Sequence, residues 1–179
     1  MRFWANLVGY QLVWFAAVIG AGRGSPWWGV VAAVVFVAAQ GGTSPWRGSD
    51  VRVVAGALAC GVVLDGGLAL TGWLGYAAAT PALLAPLWIL ALWAAFAMTI
   101  NHSLGFLHGR PWLAAVFGAV GGPLAYLGAA RGFAAVELVA PVPALVSLAA
   151  GWALALPLLV RLGRRRPLTI APARTGWAR

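Results

Sequence analysis

The sequence predicts an all-α polytopic membrane protein, a bundle of about six transmembrane helices. Three observations carry that prediction. Hydrophobic residues make up 63% of the 179 positions and charged residues only 8%, against roughly 25% charged in a soluble domain. Six apolar runs are separated by short turns rich in Gly, Pro or polar residues. The basic residues, all arginine, fall unevenly among those turns. Mean hydropathy is +0.90. The 24 Gly and 11 Pro fit this class, because membrane helices tolerate both and small residues let helices approach closely.

The first span is expected at Phe3–Ala21. It is read as a retained helix and not as a cleaved signal, because it carries Asn6 and Gln11 and more spans follow. Gly22 to Pro26 turns the chain into a short second span, Trp27–Gln40. Residues 41–50, GGTSPWRGSD, form the clearest polar loop. The third span is Val51–Trp73 and contains Asp65. An uncharged linker with Thr80-Pro81 leads to Ala85. The fourth span, Pro86–Leu107, begins with about fifteen apolar residues and then turns polar at Thr99, Asn101, His102 and Ser103. HGRP at 108–111 is a tight turn that places Pro at the start of the next helix. The fifth span is Trp112–Ala130 and the sixth Ala144–Leu162, joined by a connection carrying Glu137. Residues 1–162 thus form the transmembrane domain, and 163–179 a short Arg-rich tail.

An even number of spans puts both termini on one side. That side holds Arg2, Arg47, Arg52, Arg110 and the arginines at 161, 164, 165, 166, 174 and 179. The other holds Arg23 and Arg131. Ten against two is a positive-inside bias, so both termini are expected in the cytoplasm. The net charge of +9 is then a membrane flank and not a nucleic-acid surface, and no nucleic-acid partner is expected. Membrane lipids, a second copy or a membrane subunit are the expected partners. One cysteine, Cys60, excludes an intrachain disulfide. Gly118-x-x-x-Gly122 and Gly128-x-x-x-Gly132 offer close helix contacts.

Polar residues at membrane depth are costly and face protein or water. Asp65 is the only acidic residue within a predicted span. It reads either as a hydrogen-bonded packing residue or as an acid, base or proton carrier. His102 suits acid–base work, and a hydrogen-bonded core histidine is the competing reading. Asn101 can orient a substrate or stabilise an oxyanion. The candidate catalytic set is therefore His102, Asn101 and Asp65, with Asn6 and Gln11 as candidate substrate contacts. Helical rise puts His102 at ~7 Å and Asp65 at ~20 Å from the cytoplasmic end. A polar track from Asn6 and His102 through Gln11 toward Asp65 is expected. His102 and His108 do not have metal-ligand spacing, so no metal is expected. No phosphate loop, hydrolase elbow or paired cysteine motif names a cofactor, which stays unknown.

The stretches NLVGYQLVWFAAVIGA, Asp65-Gly66, PLWILALWAAFAMTINHSLGFL and GPLAYLGAARG resemble the bacterial domain of unknown function 2878 family. The resemblance covers most of residues 3–135 and excludes the basic tail. Its most distinctive blocks are Asn101-His102-Ser103-Leu104 and Gly122-Pro123-Leu124-Ala125-Tyr126. It implies a multi-pass protein of the bacterial inner membrane whose polar positions are Asn6, Asp65, Asn101 and His102. It implies no mechanism. Genes of the family lie near cyclopropane-fatty-acid-synthase-like genes, which points to membrane-lipid metabolism. Three functions are open: an enzyme or accessory subunit acting on a lipid or another apolar substrate, a small proton-coupled transporter with Asp65 as carrier, and a non-catalytic structural protein.

Overall fold

A computed structural model describes residues 2–80 and 85–163. Six α-helices form one bundle: α1 (Arg2–Gly22), α2 (Trp27–Thr43), α3 (Arg47–Leu70), α4 (Leu87–Ile100), α5 (Pro111–Phe133) and α6 (Pro141–Leu162). By length and hydropathy, α1, α3, α5 and α6 can each cross a membrane. The chain is a multi-pass helical membrane protein. α2 and α4 are shorter, with 17 and 14 residues. The predicted tail after 163 and part of the linker at 81–84 lie outside the described residues.

Three elements differ from the sequence expectation. α3 starts at Arg47, so Ser49 and Asp50 belong to its first turn and not to a loop. Asp50 suits that place, because a carboxylate favours the positive end of a helix. α4 stops at Ile100, seven residues before the expected end. Asn101 and Ser103 bond to side chains of α3 and α1 instead of continuing the helix. Here the amides of His102 and Leu104 both turn back to the Thr99 carbonyl, at 3.0 and 2.8 Å. A 3-10 turn over Gly105–Leu107 then leads to α5. The third difference is a pair of short strands, β1 (Leu74–Tyr76) and β2 (Val136–Leu138), where the sequence suggested only connections. They pair antiparallel, Tyr76 opposite Val136. α5 stops at Ala134, left-handed at φ 51°, and the amide of Ala135 caps the Ala129 carbonyl at 3.1 Å, which aims the chain into β2.

The helices alternate in direction. The start of α1 and the end of α6 lie at the same end of the bundle, beside the turn at 101–104. The strands close the other end. The core runs between them, with Trp88, Trp93, Ile100, Leu148 and Leu159 buried. Gly118 and Gly122 seat α5 against Trp152 of α6, where a Cβ on either would collide with that residue. Gly128 makes only ordinary contact with Trp14, and Gly132 faces open space.

Candidate functional site

The bundle holds two polar sites, one toward each end, and a lateral cleft. Near the strand end, Asp65 is completely buried, five residues before α3 stops. Its Oδ1 accepts from the Tyr76 hydroxyl at 2.9 Å and from the Tyr126 hydroxyl. Its Oδ2 accepts from the Trp93 indole at 2.7 Å. Four elements converge here: α3, β1, α4 and α5. The strand pairing holds Tyr76 in place, and Gly61 gives Trp93 room beside α3. Burial, and then the adjacent Asp65, push the Tyr76 phenol above its ordinary pKa, so it remains a donor. No ion pair includes Asp65 among the described residues.

None of His102, Asn6 and Gln11, the other members of the expected polar track, reaches Asp65. Because α3 starts at Arg47, Asp65 lies roughly 27 Å from that helix end. The interior between the two sites is apolar, with Val53, Ala57, Ala97 and Ile100 buried. Among the described residues no polar track joins the two sites. The aromatic partners were missed because hydrogen bonds from Trp and Tyr leave no mark in hydropathy. The one available signal was Tyr126, at the end of a distinctive block.

The second site joins the turn at 101–104 to three helices. Asn6 is fully buried and uses both ends of its amide. It donates to Gln40 Oε1 and to the Met98 carbonyl, each at 3.1 Å, and accepts from the Ser103 hydroxyl at 2.7 Å. Asn101 donates to Asp50 Oδ1 at 2.7 Å and to Ser49 at 3.0 Å. The Ser44 hydroxyl donates to Asp50 Oδ2. His102 Nε2 stands 3.7 Å from the same Oδ2, too long for a hydrogen bond, and has no other partner among the described residues. The His102 side chain keeps 14% of its surface exposed, while Asn6, Asn101 and Ser103 are sealed. Asn6, Asn101 and His102 therefore do share one site, and its carboxylate is Asp50. Reading residues 41–50 as a loop hid Asp50, although an acid just before an apolar run is a helix-start signal. Among the described residues no cluster of His, Cys, Asp and Glu is arranged to hold a metal.

Gln11 belongs to neither site. It is exposed at the mouth of a cleft of about 420 Å³ between α1 and α5. Phe117, Gly121 and Leu124 form the opposite lip, and Phe96 and Trp152 the floor. The two helices meet near the strand end, where Trp14 and Phe133 pack edge to face at 5.8 Å. Tyr10, Trp14, Phe96, Ala125 and Trp152 also line a smaller inner cavity of about 50 Å³. Trp93 and Tyr126, two of the donors to Asp65, line that inner cavity too. Among the described residues no charged side chain lines either space. A second groove, of about 600 Å³, lies between α3 and α6.

The family model described as protein of unknown function (DUF2878) matches residues 3–158. The chain belongs to this family. Comparison with curated proteins and with solved structures finds no match. Membership spans all six helices and both polar sites, and its description assigns no activity to the family.

Proposed function

We propose that this protein works in the bacterial inner membrane as an enzyme or accessory subunit of membrane-lipid metabolism, admitting an apolar substrate sideways between α1 and α5. The cleft carries this reading: it is uncharged, it opens between two helices able to span the membrane, and it leads inward to the aromatic wall of the Asp65 site. Pockets that are mainly apolar with a few convergent polar groups are the usual form of a small-molecule site. His102 is the proposed acid or base, facing Asp50 in a separate site at the other end of the bundle that lines neither the cleft nor the inner cavity. Asn101 orients Asp50. Six spans with cytoplasmic termini are part of the proposal, supported by the ten-to-two arginine bias. α4 reaches only about 21 Å as helix, and the turn that extends it is buried in protein, where irregular backbone is tolerated at membrane depth. A proton-coupled transporter with Asp65 as carrier has less support, because all three donors around Asp65 are engaged and no polar path leads from it toward Asp50.

Gly121→Trp tests the cleft. A Cβ at Gly121 meets nothing within 4 Å, so the new side chain leaves the helix without a clash and its indole has the cleft to occupy. Native mass spectrometry of the purified protein should show loss of co-purified lipid, with Tm within a few degrees of wild type. Undiminished lipid would sink the proposal.

A further inference from the structure

Two polar groups at the inner end of the cleft have no use in the fold. The first is Trp152 Nε1, buried and without an acceptor among the described residues. Its ring is fixed by stacking on Trp93, with centroids 4.2 Å apart at 8°, and Phe96 meets it edge-on. Its Cδ1 edge, which adjoins Nε1, faces Gly122 on α5, a residue of the cleft wall. The second is the Tyr10 hydroxyl. Tyr10 lines the cleft and the inner cavity, and among the described residues its hydroxyl has no hydrogen bond. An indole nitrogen only donates, and a phenol donates readily. The buried Trp152 donor left unpaired costs about 1–3 kcal/mol, so a ligand reaching this point gains by bringing an acceptor, and the half-buried Tyr10 hydroxyl can join it.

Depth restricts what can bring it. Tyr10 lies eight residues into α1, roughly 12 Å from the end beside the polar turn. Trp152 lies ten residues before α6 ends, roughly 15 Å from the same end. A hydrocarbon core is ~30 Å thick, so both donors sit close to its middle. The charged headgroup and the ester linkages of a phospholipid lie nearer the surface. The uncharged walls also offer a headgroup no counter-charge. The oxygen has to be carried on the chain.

We infer that the cleft's ligand is an acyl chain bearing a hydrogen-bond acceptor oxygen part-way along its length, seated between Tyr10 Oη and Trp152 Nε1. The inference rests on the lateral-cleft reading and names its substrate class. The Asp65 site then has a second role: it clamps Trp93, and through the stacked rings it holds Trp152 in place.

The test compares methyl stearate with methyl 10-oxostearate on the purified full-length protein in nanodiscs, with affinities from native mass spectrometry. Wild type should bind the oxo ester at least about five-fold more tightly, the effect of one ordinary hydrogen bond. Trp152→Phe keeps a six-membered ring to stack on Trp93 and removes the N–H donor together with the five-membered ring. Tyr10→Phe removes only the hydroxyl. Each should reduce the preference, read as the ratio of the two ester affinities within that variant. Equal binding of the two esters by wild type, or a preference that survives both substitutions, overturns the inference and leaves the cleft as a lipid site. Tighter binding of decylubiquinone than of either ester overturns the acyl chain as the occupant. If neither ester nor quinone binds wild type, the lateral-cleft reading fails as well.

Discussion

Asp65 and Asp50 are both buried aspartates on α3, and their surroundings differ in kind. Asp65 is enclosed by aromatic donors from three other elements, each fixed by its own packing. Asp50 is held by short polar side chains, Ser44 and Asn101, and faces a partly exposed histidine that does not complete a hydrogen bond. A carboxyl with its donors engaged and no route to solvent acts as a clamp. A carboxyl beside an unsatisfied imidazole has an interaction still to make. The residue type is the same, and the neighbours decide whether it locks the fold or serves chemistry.

The sharpest way to break this comparison is to remove each carboxyl. Asp65→Ala leaves three donors unpaired in the core, so it should lower stability by at least about 3 kcal/mol, or leave little folded protein, in thermal unfolding in detergent. Asp50→Ala leaves Ser44 and Asn101 short of one partner each and should cost about 2 kcal/mol, measured the same way. If Asp50→Ala proves the more damaging, the clamp has been assigned to the wrong end. His102→Ala removes a side chain with no hydrogen bond and should cost under about 1 kcal/mol. Its Tm should stay near wild type while the membrane-lipid profile of cells carrying it matches a gene deletion. A wild-type profile would return His102 to a packing role.

The sequence reading succeeded and failed at identifiable places. Apolar run length gave the six helices, because burying backbone in lipid demands continuous helix and the composition shows it. The four-residue glycine spacing marked Gly118 and Gly122, where α5 does approach α6 closely, and equally Gly128 and Gly132, where no close approach occurs. The end of α4 was not legible: Asn101 to Leu104 can continue a helix, and only the pull of Asn6, Ser49 and Asp50 makes them a turn. The strand pair was equally hidden, since its two halves lie about sixty residues apart and are three residues each.

By itself, then, the sequence determined the solvent and the element type: a chain this apolar has to live in a membrane as helices. Which polar groups meet was decided by the tertiary structure alone. The charge or hydrogen-bonding capacity of a side chain is written in its identity, but its partner depends on the start of α3, the early end of α4 and the strand pair. Those depend on contacts between residues far apart in the chain. That is why Asp65 pairs with three aromatic side chains, why His102 faces Asp50, and why Gln11 looks outward into the cleft.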